Sequence, residues 1–383
     1  MPLLLSWLLY NGRGRPGQGR LFFCRYKVAL SLLFRVALRS CQDSCRILSF
    51  PVTISERKPE MITVARFTIL CLLSLFFPAA YAGQDLPYAL GGPFPSPVVF
   101  APGQISTGDY ESHAAFTPDG NEVYFLKNAP DFSFWTIVVS RFENGQWTEP
   151  EIATFSGQYS DADPFITSDG RRLFFISNRP TKAGEAKQDM DIWMVERKGA
   201  GWGEPMNPGE PLNSIGNEWY PTVSSNGTLY FGSDRAGGFG NTDLYRSKPS
   251  GGNFGSPENL GAPVNSTADE FEPWIAPDQS FLVFMAGRPD SLGAYDLYVS
   301  CAQKEKWGAV RNLGKPFNSS GKEFSPKITP DGKYFYFTST RGFGNQPLSK
   351  RLSSEELIQK LHSSGNGLGD IYIVDIQSLN LCR

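Results

Sequence analysis

Apolar and polar positions along residues 90–376 fall into short runs broken by tight turns, with no sustained 3.6-residue period outside one segment. Ala115-Phe116 and Val123-Tyr124-Phe125 flank Asp119-Gly120; Pro326-Lys327-Ile328 and Tyr334-Phe335-Tyr336-Phe337 flank Asp331-Gly332. Asp-Gly between apolar runs predicts a β-hairpin, because both turn residues accept positive φ. Equivalent turns stand at Asp169-Gly170, Asn226-Gly227 and Asp278-Gln279.

Three further marks recur in fixed order around these hairpins. An aromatic precedes a proline in Phe94…Pro97, Trp147…Pro150, Trp202…Pro205 and Phe254…Pro257, and Trp307 has Val310 in the proline place. A carboxylate opens each hairpin: Glu111, Asp161, Glu218, Glu270 and Glu323; Pro164, Pro221, Pro273 and Pro326 follow the last four. An Asp-apolar-aromatic segment comes third, at Asp191, Asp243, Asp296 and Asp370; the first copy has Thr136 and its neighbours there. The aromatics lie 53, 55, 52 and 53 residues apart. Four antiparallel strands per repeat, in radial array, make a propeller blade. Proline suits the outer, edge strand because it removes a ladder donor. The expected fold is an all-β, five-bladed β-propeller with four antiparallel strands per blade. The chain enters on a fourth strand and leaves after a third, so the N-terminal strand should close the last blade.

Composition agrees: 14% aromatic residues, 39 Gly and 29 Pro. Net charge is −2, but residues 1–82 hold 11 Lys+Arg against 3 Asp+Glu, leaving the remainder about −10. That sign argues against a nucleic-acid surface. Residues 61–82 carry Arg66, an apolar stretch and Ala80-Tyr81-Ala82, the layout of a signal peptide cleaved before Gly83. Residues 1–60 then read as a non-native or disordered extension, and residues 83–383 as the propeller. The expectation is a periplasmic or secreted monomer without a stable membrane span. Cys301 and Cys382, the cysteines of the mature part, are candidates for one disulfide.

The Thr-Pro-Asp-Gly turns at residues 117–120 and 329–332, the Tyr-Phe strand and the Asp-Ile-Tyr strand resemble the WD40-like Pro-Asp repeats of TolB-type propellers. The resemblance spans about residues 90–376. It implies the propeller fold and a non-catalytic role, binding a protein segment or glycan of the cell envelope. TolB's additional α/β domain and sixth blade have no counterpart here.

The repeated carboxylates Glu111, Glu218 and Glu323, with Asp161 and Glu270, face Arg179, Arg235, Arg288 and Arg341 as expected structural pairs. A ligand site needs asymmetry. Two residues after each carboxylate stand His113, Asp163, Tyr220, Glu272 and Ser325, a ring that varies from blade to blade at the channel mouth. These five, with Asp161 and Glu270, are the channel-face binding candidates. No cofactor is predicted; a divalent cation in the channel is the option the acidic residues leave open. No catalytic motif appears. The main reading is non-catalytic binding; the alternatives are a carbohydrate-active enzyme using channel carboxylates, Asp163 with Glu272 first, and a structural envelope protein. Residues 345–369 are a helical insertion in the last blade, with Ser354 as N-cap and Leu357, Ile358 and Leu361 as an apolar face; it is read as a lid. Asn226, Asn265 and Asn318 match glycosylation acceptors and are read as turn composition.

Overall fold

Each of the five hairpins becomes the inner half of a blade. In the computed structural model these pairs are Glu111–Phe116 with Glu122–Asn128, Asp161–Ile166 with Arg172–Ser177, Glu218–Val223 with Leu229–Ser233, Glu270–Ile275 with Phe281–Ala286, and Glu323–Ile328 with Tyr334–Ser339. The description covers residues 86–382 except 90, 183–186, 188, 305 and 345, all within the unit Gly83–Arg383. The expected signal peptide and the extension before it lie outside the described residues.

Third strands follow at Trp135–Glu143, Asp191–Lys198, Asp243–Ser247, Asp296–Gln303 and Asp370–Asp375. The outer strands are short. The aromatic-to-proline segment forms a local ribbon in the first and third blades, and pairing resumes after the proline at Glu151–Ile152 and Glu258–Asn259. The N-terminal Val98–Val99 pairs with Asp370–Asp375 and closes the last blade. Phe94 and Asp375 extend that seam through two hydrogen bonds of 3.1 and 2.8 Å. Cys382 is bonded to Cys301, tying the C-terminal tail to the fourth blade.

One irregularity repeats in all five innermost strands. The register slips between Ser112 and Ala115, Ala162 and Phe165, Trp219 and Thr222, Phe271 and Trp274, and Phe324 and Lys327. Each slip is a β-bulge whose first residue has positive φ: His113 (56°), Asp163 (57°), Tyr220 (50°), Glu272 (53°) and Ser325 (57°). In four bulges the next residue is proline, which has no N–H to give to the ladder. The bulge turns the ring residue out of the strand's alternation.

The insertion carries a helix, Ser354–Leu361. Its N-cap is Ser353, not Ser354, in a reciprocal capping box with Glu356. The apolar side chains are not packed down: Leu357, Ile358 and Leu361 are 46%, 56% and 53% exposed. The return segment is anchored instead. Asn366 donates to the Gly108 carbonyl at 3.0 Å, and Leu368 packs against Tyr110, Met285 and Phe324.

Candidate functional site

The repeated carboxylates lie under the arginines. Arg179 bonds Asp161 at 2.6 Å, Arg235 bonds Glu218 at 2.9 Å, Arg288 bonds Glu270 at 2.9 Å, and Arg341 reaches Glu323 at 3.4 Å. In the first blade Lys127 takes the arginine's place on Glu111, at 3.0 Å. A hydroxyl upstream also donates to each acid: Thr107, Ser156, Ser214, Ser266 and Ser319, at 2.6–2.8 Å. Burial pushes the carboxyls of Asp161, Glu218 and Glu270 up, and the bonded hydroxyl and arginine pull them back. All five acids are fully buried. Asp161 and Glu270 therefore belong with the structural pairs and not with the channel-face candidates.

The ring residues behave differently. His113 Nε2 lies 3.1 Å from Asp163 Oδ1 and 3.2 Å from Glu272 Oε1, while its Nδ1 meets Ser112 Oγ at 2.8 Å. The other oxygen of each acid reaches onward. Asp163 Oδ2 accepts the Tyr220 N–H at 2.8 Å, and Glu272 Oε2 accepts the N–H of Ser325. Thr338 Oγ1 accepts the His113 N–H at 3.3 Å. The bulges free backbone donors, and neighbouring blades take them up. Burial, with Glu272 nearby, pushes the Asp163 carboxyl up to about 6 against the opposing pull of His113.

Below the ring, side chains from other blades seize the bulge carbonyls. Tyr220 donates to Pro326 at 2.9 Å and Thr222 to Pro273 at 2.7 Å. Lys327 donates to Ala114 at 3.0 Å and to Pro164 at 2.6 Å, with its ammonium 4.9 Å from the Tyr220 ring centre. Burial pushes the Lys327 amine down to about 7, held from falling further by Asp163 and Glu272. Tyr220 and Lys327 thus plug the channel. Above the plug, a pocket of about 200 Å³ is lined by His113, Asp163 and Glu272 on its floor and by Phe132, Trp135, Trp219 and Phe271 on its walls.

Tyr220 joins the plug, and Ser325 contributes its backbone N–H, so the pocket floor reduces to three of the five ring residues. Lys327 was missed by sequence reasoning, although a signal existed. Four positions after the carboxylates stand Ala115, Phe165, Thr222, Trp274 and Lys327, a set with one charge. The motif Asn-x-Gly-x-Pro-x-Asn-Ser at residues 207–214, 259–266 and 312–319 was also missed. Its second Asn is buried and spans a third strand, as Asn265 does through both N–H and C=O of Leu244. Asn265 and Asn318 are 1% exposed, so in the folded protein those two side chains are closed to modification. Among the described residues no cluster of three or more ligand-type side chains is arranged to hold a metal ion, and no helix is long and apolar enough to cross a membrane.

No family model matches the chain, and no curated protein matches it. Solved structures resemble it at the level of the propeller. An α-L-arabinofuranosidase from Lactobacillus brevis superposes with TM-score 0.42 at 12% identity, covering 72% of this chain and 92% of its own. A Penicillium chrysogenum α-L-arabinanase complexed with arabinobiose gives 0.42 at 14%, covering 73% and 99%. A thermostable family-43 glycoside hydrolase gives 0.42 at 11%, covering 70% and 89%. The chain is a β-propeller. The expectation of a non-catalytic binder is corrected here: these neighbours are named as enzymes that act on glycans, not as binding modules. At such low identity they assign no chemistry to this chain, and any reading of activity rests on the pocket itself.

Proposed function

We propose that the protein is a carbohydrate-active hydrolase whose proton-handling centre is Asp163, Glu272 and His113. One observation carries the reading: two carboxylates from different blades share one imidazole nitrogen on the floor of an aromatic-walled pocket. Glycoside hydrolysis needs one carboxyl that is protonated near neutral pH and a second that is ionised. Asp163, pushed up to about 6 by burial, is suited to donate its proton to the leaving oxygen. Glu272 is the more open of the two and is suited to meet the anomeric carbon or the water that attacks it. His113 stands between them in the free protein. A sugar hydroxyl that takes the place of His113 Nε2 on Glu272 releases that carboxylate for the reaction.

Retention would need the two carboxyl groups ~5–5.5 Å apart and inversion ~6.5–9.5 Å, so the anomer released is read together with turnover. The aromatic walls suit the C–H faces of a sugar ring, whose positive edges meet the negative π-faces. Trp135 also has a buried indole N–H with no partner, a donor for a ligand oxygen.

The test is turnover of a panel of oligosaccharides. Asp163→Asn and Glu272→Gln should each abolish it while leaving the circular dichroism spectrum intact. Unchanged turnover in both variants rejects the assignment. An exported location belongs to the same proposal, and the Cys301–Cys382 bridge supports it because such bridges persist in oxidising compartments. Kinship with the Pro-Asp repeat propellers also remains a proposal, resting on the turn motifs.

A further inference from the structure

The plug leaves a second cavity at the opposite mouth of the channel, of about 470 Å³. All five blades contribute to its rim through the turns of their inner hairpins: Pro118, Ser168, Ser225, Pro277 and Pro330. Its wall is apolar, built from Phe116, Phe165, Trp274, Phe281 and Ile328, and from Leu381 of the tail that Cys382 fastens. Two charged residues line it. Asp278 is committed to its own turn, accepting from the N–H and hydroxyl of Ser280 at 2.9 and 2.6 Å. The other is Lys327.

Lys327 is almost fully buried, yet its amine donates to two neutral carbonyls. Among the described residues no carboxylate stands in ion-pair contact with it. Asp163 and Glu272 act on it from the other side of the plug at longer range, Tyr220 covers it with its ring, and Tyr336 lines the cavity beside it. A buried ammonium without a contact counter-ion is costly, and the third N–H has no assigned acceptor. The cavity is of a size that takes a small organic ligand. We propose that this far bowl is a binding site for a small apolar monocarboxylic acid, whose carboxylate pairs with Lys327 and whose hydrocarbon or aromatic body fills the wall. A strongly hydrated dianion does not suit such a wall. The inference is independent of the glycan reading, since the two cavities lie on opposite sides of Tyr220 and Lys327.

The probe is 3-phenylpropionate, compared with 3-phenylpropanol, which has the same apolar body without the charge. Binding to the intact propeller is followed by tryptophan fluorescence, Trp274 being the indole that lines the cavity, and by calorimetry in two buffers of different ionisation enthalpy. At pH 6 the acid should bind at least about tenfold tighter than the alcohol, the worth of one charge-assisted hydrogen bond. At pH 9 the preference should vanish, and near pH 7.5 binding should take up protons as the amine is charged. Lys327→Met should lose the preference. The proton uptake is read on the unaltered protein, so the test survives if Lys327→Met fails to fold. Equal binding of acid and alcohol at pH 6, or absence of proton uptake, overturns the proposal.

Discussion

At the residue scale, the five ring positions combine a strained backbone with groups chosen one blade at a time. A non-glycine residue at positive φ costs roughly 1 kcal/mol. The fold accepts that cost five times, and the freed backbone N–H groups of Tyr220, Ser325 and His113 are each taken by a side chain of another blade. Ala114 is the single second bulge residue that is not proline. Ala114→Pro should therefore be tolerated and raise stability by about 0.4–1 kcal/mol through the unfolded chain. A shifted urea midpoint at constant slope would measure it, and a large loss would show that the first bulge differs from the others. Lys327 gives a pH signature. Its folded amine titrates near 7 and its unfolded amine near 10.5. Between those values the unfolded chain holds the extra proton, so stability should rise with pH across that window. Asp163 acts in the opposite sense: between about 4 and 6 the folded protein holds the extra proton, and stability should fall as pH rises. Thermal melts of the native protein and of Lys327→Met should differ in the alkaline window, where the variant loses the rise.

At the element scale, the strands and their order were readable because each blade repeats the same turn, acid, proline and aromatic. The bulge was half readable. Pro164, Pro221, Pro273 and Pro326 were visible, but their consequence depends on pairing register, which puts the ring residue at positive φ and aims it into the channel. Its place in the repeat puts the ring at the channel mouth, but which members touch, His113 with Asp163 and Glu272, is a property of ring closure and cannot be read from spacing along one strand. Lys327 was hidden for a simpler reason: it looked like one more strand residue beside Ser325. The helix was legible and its packing was not, since an apolar face at 3.6-residue spacing normally implies burial. Leu357, Ile358 and Leu361 face solvent, so Leu357→Lys with Ile358→Lys should change the unfolding free energy little, within about 0.5 kcal/mol in denaturant melts. A large destabilisation would show that this face packs in solution. Replacing residues 345–369 by a short loop should leave the propeller folded and alter turnover, because its return segment crosses Gly108 and packs on Tyr110, whose ring meets Phe132 of the pocket wall.

At the scale of the whole molecule, closure is made twice. Val98–Val99 completes the last blade, and Cys301–Cys382 fastens the tail across two blades. Deleting residues 83–100 should destabilise every blade together, seen as one cooperative transition at lower temperature. Two separate transitions would mean that the blades fold as independent units. Cys382→Ser should cost about 2–4 kcal/mol in denaturant melts and loosen the far bowl through Leu381. The closed ring holds the pocket floor, and Tyr220 with Lys327 divides the channel into an acidic, aromatic chamber and an apolar one. The most direct test of the account is hydrolysis of an oligosaccharide panel by the native protein beside Asp163→Asn and Glu272→Gln. The account predicts turnover whose alkaline limb falls as Asp163 loses its proton near 6, and a fall of about 10²–10⁴ in either variant with the fold unchanged. Turnover that survives both substitutions would contradict it.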